Sequence, residues 1–340
     1  MEWPLIIDKL ILCGILFAVS LGIAAYSTLA ERKIAAWIQD RIGPNRAGPG
    51  GLFQPLADGL KSFFKEEIIP NASDKFLFIA APCLFMLTAL MGYIVMPWGP
   101  DMTFNGRSFP LQIADLNIGV LYVFGIASLG VYGIMIGGWA SNNKFSLLGA
   151  IRASSQMISY ELAMGLSIVP IIMSTGSLSM SDIVQAQSHG HWNVFYQPVA
   201  FLIFLTCAFA ETNRTPFDLA ETESELIGGY HTEYSSMKLA LFLFGEYVNI
   251  FVSSALISTL FFGGYTFPGI DGLDISQNAA ALLGVLFLFV KIFFFIFFFM
   301  WVRWTIPRFR YDQLMRLGWQ IFIPLAIVNI LVTGIVLTYF

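Results

Sequence analysis

Residues 5–29, LIIDKLILCGILFAVSLGIAAYSTL, carry only Asp8 and Lys9 as charges in an otherwise apolar run. A helix needs roughly 20 such residues to cross the hydrocarbon of a bilayer. The run is too long for a signal-peptide core and has no small-residue cleavage pattern, so it reads as a retained span. Its apolarity is continuous rather than alternating, which argues for helix over barrel strand. The rest of the chain repeats the pattern. Of 340 residues, 57% are apolar and 12% charged, and the mean hydropathy is +0.72; these values exclude an ordinary soluble enzyme. Eight segments are candidate spans, at about residues 4–29, 76–96, 117–138, 154–174, 196–211, 239–262, 279–302 and 319–339. The fifth must borrow a turn from its flanks. Pro82, Pro170 and Pro324 lie inside or near the ends of spans and predict bends there. The expected fold is an all-α integral membrane protein, a single membrane domain over residues 1–340 with eight transmembrane helices and no internal repeat. Cys13, Cys83 and Cys207 lie within or at the ends of apolar segments without metal spacing, and read as small core residues.

Lysine and arginine set the orientation. Loops after the odd-numbered spans hold Arg32, Lys33, Arg41, Arg46, Lys61, Lys65 and Lys75, then Lys144 and Arg152, then Arg214 and Lys238, then Arg303, Arg308, Arg310 and Arg316. The other side has Lys9 and Arg107. The asymmetry places the odd-numbered loops in the cytoplasm and both termini outside.

The first of these loops, residues 31–75, has structure of its own. Gly43-Pro44-Asn45-Arg46 and Gly48-Pro49-Gly50-Gly51 are turn chemistry. Residues 55–67 read as a short amphipathic helix. At about 100° per residue, Leu56, Leu60, Phe63 and Phe64 share one face and Asp58, Lys61, Ser62 and Lys65 the other. Such a helix lies along a membrane surface or caps a cleft.

Three charges stand where charge is expensive: Glu161, Glu246 and Lys291 fall within spans. An ionisable group near a bilayer centre costs roughly 2.5–3.5 kcal/mol on insertion scales, so it faces protein or water and is a functional candidate. The glutamates are candidate proton carriers; Lys291 is either functional or paired with one of them. The loop over 211–238 concentrates more charge. Residues 207–235, CAFAETNRTPFDLAETESELIGGYHTEYS, set Glu211, Asp218, Glu221, Glu223, Glu225 and Glu233 against Arg214 alone. If residues 218–225 are helical, Asp218, Glu221 and Glu225 share a face and their titrations couple. Charge runs usually form solvated faces. Here the run starts from the end of a span, at Glu211, and Phe217, Leu219, Leu226 and Ile227 interleave the acids, which points to packing.

Redox motifs are missing. The chain has no GxGxxG, P-loop or CxxC, and no histidine within a span to hold haem; His189 and His191 fall in an external loop and His231 in the acidic one. A redox role for it is that of container or coupler.

Several segments then converge on one family. They are Glu31-Arg32-Lys33 with Gln39, Arg41, Gly43-Pro44-Asn45 and Gly48; Gln54-Pro55, Ala57-Asp58, Lys61 and Lys65-Glu66; and Arg152, Gln156 and Ser159-Tyr160-Glu161. Glu211-Thr212-Asn213-Arg214-Thr215-Pro216-Phe217-Asp218-Leu219-Ala220-Glu221 follows, with Glu223, Glu225-Leu226 and Glu233-Tyr234. Glu246-Tyr247 and Pro307-Arg308-Phe309-Arg310-Tyr311-Asp312-Gln313-Leu314 complete the set. Over nearly its whole length the chain resembles the H-subunit family of bacterial NADH-quinone oxidoreductase (respiratory complex I), counterpart of mitochondrial subunit 1. Ser155 and Thr222 depart from it, where the family often has alanine and glycine.

The resemblance implies an eight-span heel subunit of the inner (plasma) membrane that forms much of a quinone tunnel. Its substrate is a quinone, ubiquinone or menaquinone, and it holds no cofactor itself; iron–sulfur clusters and FMN sit in partner subunits. Implied partners are the peripheral-arm subunits carrying the last cluster, small membrane subunits, antiporter-like subunits and lipid, but no nucleic acid. Residues matching the tunnel are Arg32, Gln39, Arg41, Asp58, Lys61, Glu66, Arg214 and Phe217. Those matching the proton path are Glu161, Glu211, Asp218, Glu221, Glu223, Glu225 and Glu246. The headgroup's direct partners belong to another subunit, so the chain is not catalytic alone. Three other readings stay open: the related subunit of a membrane-bound hydrogenase or formate hydrogenlyase, a free-standing proton or cation transporter, and a passive assembly scaffold.

Overall fold

The computed structural model describes residues 3–104, 107–188, 191–218, 226–267 and 276–339. Its helices are α1 (Trp3–Ile38), α2 (Gln54–Phe64), α3 (Lys75–Met91), α4 (Gly119–Ala140), α5 (Lys144–Thr175), α6 (Met180–Ser188), α7 (Asn193–Tyr196), α8 (Pro198–Glu211), α9 (Ser236–Phe261), α10 (Gln277–Thr305), α11 (Tyr311–Arg316) and α12 (Ile323–Tyr339). Six stretches of helix are long and apolar enough to cross a bilayer: Ile6–Ile38, Gly119–Ala140, Lys144–Thr175, Ser236–Phe261, Gln277–Thr305 and Tyr311–Tyr339. The other two expected spans fall on the shorter apolar helices α3 and α8, of 17 and 14 residues. At 1.5 Å per residue these cover about 26 and 21 Å, less than the roughly 30 Å of hydrocarbon. The chain is a multi-pass membrane protein, mostly helical.

Three helices outrun their apolar windows. α1 continues through residues 30–38, giving 36 residues and a length of about 54 Å. α5 begins at Lys144, where Asn143 accepts from Phe145 N at 2.9 Å as its N-cap. α10 continues to Thr305. Hydropathy ends a span at its first cluster of charges, whereas the backbone continues as long as those charges find partners. Pro82 and Pro170 lie inside α3 and α5, each assigned as one continuous helix. Near Pro324 the ladder widens into a π turn over Leu317–Phe322, with Ile323 N donating to Gly318 O. A proline without an N–H and with a bulky ring favours such local rearrangement.

α9 is the most enclosed of the long helices, against α1, α3 and α10, while α5 packs on α4, α8 and α12. α12 is the least covered, and Leu331, Val332 and Ile335 lie on its exposed face. Small residues bring backbones together. A Cβ on Gly138 would lie 2.3 Å from Ala150 Cβ, and one on Gly149 2.7 Å from Gly229 Cα. One addition to the all-α expectation is a hairpin between α3 and α4. Strands β1 (Met102–Phe104) and β2 (Arg107–Phe109) pair antiparallel, with Thr103 opposite Ser108. Asn278 satisfies the open edge of β1, accepting from Thr103 N at 2.8 Å and donating to Thr103 O at 2.7 Å.

Candidate functional site

A cavity of about 420 Å³ opens between α1, α2, α9 and α10. Its α9 wall is apolar at Leu239, Ala240, Leu243 and Phe244. Its roof is α2, which turns Asp58, Lys61 and Ser62 inward. Leu56, Leu60, Phe63 and Phe64 point away from it and are each more than half exposed. The amphipathic helix thus caps a cleft with its polar face. It is tied to α1 by Arg32–Asp58 at 2.8 Å and to α9 by Ser236 Oγ donating to Ser62 O at 2.9 Å. Just beyond the roof, Glu67 pairs with Lys238.

An ionic network forms the inner wall of the cavity, where Glu31, Tyr247 and Arg303 line it, and continues behind it to the buried Arg214 and Glu246. Glu31, two residues past the first apolar window, accepts from Arg214 Nη1 at 3.1 Å and from Tyr247 Oη at 2.7 Å, and pairs with Arg303. Arg214 reaches Glu246 at 3.8 Å and lies over the Tyr247 ring at 4.4 Å. Tyr230 Oη donates to the other Glu246 oxygen at 2.9 Å. Burial alone would weaken the guanidinium charge of Arg214. Glu31, Tyr247 and Glu246 around it more than reverse this, so its pKa rises and it stays charged. Charges this deep persist only when paired and hydrogen-bonded.

Local structure presents these groups. After α8 the chain turns at once, Arg214 N bonding Phe209 O at 3.2 Å, and Gln156 seals the turn by donating to Ala210 O at 2.9 Å. Phe217 is buried between Tyr160 and Phe309, with ring centroids at 5.4 and 5.7 Å. Asp218 pairs with Arg308 at 3.4 Å. Tyr230 is fixed because Ser146 Oγ donates to its carbonyl at 2.9 Å, one turn before the Gly149–Gly229 contact. Tyr234 stacks on Phe78 at 4.1 Å, and burial pushes its phenol above its ordinary range.

A second acidic pair sits deeper. Glu161 of α5 accepts from Ser128 of α4. Glu211, at the end of α8, is electrostatically coupled to Glu161 and lines a cavity of about 30 Å³ with Thr88, Asn249 and Ser253.

A family model described as NADH dehydrogenase matches residues 11–334. The chain belongs to the NADH dehydrogenase family. Among relatives, an H subunit of NADH-quinone oxidoreductase from Cytophaga hutchinsonii is 62% identical over 98% of each chain. The H subunit from Flavobacterium psychrophilum is 62% identical over the full length of both. That from Flavobacterium johnsoniae is 61% identical over 99% of this chain and 97% of its own.

In this NADH dehydrogenase-family chain the residues named from sequence do not all converge. Arg32, Asp58 and Lys61 line the cavity, and Arg214 backs it. Gln39 and Arg41 bond each other at 2.7 Å in the exposed segment after α1. Glu66 is exposed and outside the lining, to which its neighbour Lys65 contributes. Phe217 packs behind the network rather than in the cavity. Glu221, Glu223 and Glu225, and the helix expected over 218–225, lie outside the described residues. Ser155, one of the departures, bonds Tyr311 Oη at 2.6 Å.

Lys291 does not pair with a glutamate among the described residues. Its ammonium donates to Phe262 O, Gly264 O and Thr266 O at 2.7, 2.7 and 2.8 Å, over the Trp192 ring at 5.0 Å. It closes the carbonyl end of α9, where a cation also meets the negative pole of the helix. Glu31, Arg303, Tyr230 and Tyr247 were missed as site residues. The signal for two of them was available: Glu31 and Arg303 each lie within a turn or so of an apolar window, where a helix carries its charges inward as readily as out.

Proposed function

We propose that this chain is the membrane-arm heel subunit of an NADH-quinone oxidoreductase, forming much of its quinone chamber and coupling quinone reduction to proton translocation. One observation carries the reading: a cavity with an apolar wall and a polar roof abuts a buried ionic network that runs, through Glu31 and Arg214, to Glu246. A quinone has the matching chemistry, an apolar tail and a polar head. The tail would lie along Leu239, Leu243 and Phe244, and Arg32, Asp58 and Lys61 would line the polar stretch through which the head passes to its direct partners in another subunit. Electrons come from iron–sulfur clusters and FMN in partner subunits. Reduction takes two electrons and two protons per quinone, and charge appearing in the cavity biases the network beside it. Coupled carboxylates then change their proton occupancy together. Glu246, Glu211 and Glu161, with Asp218, Glu221, Glu223 and Glu225, form the route from the chamber toward antiporter-like subunits.

In this reading the short helices α3 and α8 also span, giving eight crossings of the bacterial inner membrane with both termini periplasmic. α2 then lies on the cytoplasmic side, where peripheral-arm subunits dock. The substrate is ubiquinone or menaquinone.

The test compares two acceptors in the same membranes. Ferricyanide takes electrons from the peripheral arm, whereas quinone requires the chamber. Glu246→Gln and Asp58→Asn are expected to keep NADH–ferricyanide activity and lose NADH–quinone activity. Normal rates with both acceptors in both variants would sink the proposal. Hydrogen evolution without quinone reduction would favour a hydrogenase subunit instead.

A further inference from the structure

A groove of about 420 Å³ runs between α1 and α10. It opens on a different face of α1 from the roofed cavity: Thr28 and Glu31 line the cavity, Ser27 and Ala30 the groove. Its lining on α1 runs from Gly22 to Ile34, a rise of about 18 Å at 1.5 Å per residue. That is close to one leaflet of a hydrocarbon layer roughly 30 Å thick. Tyr26, Phe293 and Phe297 rim the groove and are each about half exposed, while Ser27, Ile34 and Met300 at its base are buried. Lipid tails are as apolar as such walls, so hydrophobic transfer alone retains no particular molecule there. Retention needs polar contacts, and the groove has them toward one end.

Serine and threonine in a helix often donate to a carbonyl one turn back. Ser20 and Thr28 of α1 do so, to Phe17 O at 2.9 Å and Ala25 O at 2.7 Å. Ser27 is 6% exposed, lines the groove and has no hydrogen bond among the described residues. A hydroxyl withdrawn from water costs free energy until it finds an acceptor. Along the same face, Tyr26, Ala30, Lys33 and Trp37 follow at i, i+4, i+7 and i+11. Lys33 has no ion pair among the described residues, and Trp37 is well exposed. A tryptophan beside a basic residue marks the level of lipid headgroups.

We propose that this groove is a phospholipid site. One acyl chain lies between Tyr26, Phe293 and Phe297, an ester carbonyl accepts from Ser27, and the phosphate meets Lys33 beside Trp37. Ser27 and Lys33 stand about 9 Å apart along the helix axis, a separation that a glycerol phosphate and its two contacts span. A polyisoprenoid tail would fill the same groove but offers Ser27 no acceptor and Lys33 no anion, so the occupant is a phospholipid rather than a quinone. Its chain backs α1 where Glu31 pairs with Arg303 of α10, and holds the two helices together behind the cavity wall. Which leaflet supplies the lipid rests on the orientation proposed above; the site does not.

The intact complex, purified in detergent, is given phosphatidylglycerol carrying a diazirine midway along one acyl chain, washed free of loosely held lipid and illuminated. Label is expected on α1 between Gly22 and Ala30 and on α10 between Phe293 and Met300. Label spread evenly over the apolar surface, with Leu331 and Val332 of α12 taking as much, would mean annular lipid only and overturn the site. Loss of the groove label to excess long-chain quinone would assign the groove to a quinone tail and overturn it as well. Lys33→Gln is expected to lower the groove label about fivefold, and Lys33→Arg to keep it. Unchanged label in Lys33→Gln removes the headgroup contact and with it the phospholipid assignment. Gly22→Phe is expected to abolish the label. A Cβ at Gly22 meets nothing within 4 Å, so the ring enters the groove without displacing protein. Should Gly22→Phe fail to assemble, the Lys33 pair decides. No readout depends on quinone turnover, so failure of the lipid site leaves the quinone-chamber reading where it stands.

Discussion

The network beside the cavity and the deeper acid pair solve the same problem differently. Glu31 and Glu246 are neutralised by Arg214, with Arg303 adding to Glu31, and phenol hydroxyls take up further lone pairs. Glu161 has a serine hydroxyl, and Glu211 a polar cavity, with no ion pair to a cation at either among the described residues. A carboxylate paired with arginine passes a change on by moving its charged partners as well as its proton. A carboxyl beside neutral groups can take up or release a proton with no cation left stranded. The second arrangement suits carrying alone; the first ties carrying to the charge state of the cavity.

The largest expected effect comes from breaking the network at its centre. Arg214→Met leaves Glu31 and Glu246 without their shared cation and is expected to cost about 3–5 kcal/mol, read as a lower thermal inactivation temperature of quinone reductase and less assembled chain. Wild-type stability would mean that Arg303 alone suffices for the cluster. A smaller loss is expected from Gly149→Ala, whose Cβ would lie 2.7 Å from Gly229 Cα. Overpacking there costs about 1–3 kcal/mol and shifts Tyr230 from Glu246, so coupled activity is expected to fall further than stability. Glu161→Gln keeps an oxygen for Ser128. It is expected to change stability by under about 1 kcal/mol while most proton pumping is lost, measured with a pH-sensitive dye in sealed vesicles. A stability loss as large as that of Arg214→Met would erase the distinction between the two regions. The smallest effect is expected from Arg32→Gln, whose pair with Asp58 is half exposed. It is expected to cost under about 1 kcal/mol and to raise the quinone KM modestly, most clearly at low salt.

The membrane class and the amphipathic helix are legible in sequence because long apolar runs and a two-sided wheel are local signals. Helix ends are not. Glu31 and Arg152 read as loop residues, yet both stand on helices that continue past the apolar window because their charges have partners. Orientation of α2 is half legible: the two faces are plain, but which one turns inward depends on what α1 and α9 offer it. Lys291 reads as a candidate partner for a glutamate, since sequence shows charged residues and hides converging carbonyls. Tyr230 and Asn249 carry no local signal at all, and become informative only when α5, α8 and α9 meet.

Lys291 also bears on how the protein is made. The carbonyls it binds precede it by 25 to 29 residues, so they are synthesised before the ammonium that satisfies them. In hydrocarbon an unsatisfied carbonyl costs several kcal/mol. The end of α9 therefore settles only when α10 has come alongside, and the two spans are completed as a pair, the later one locking the earlier.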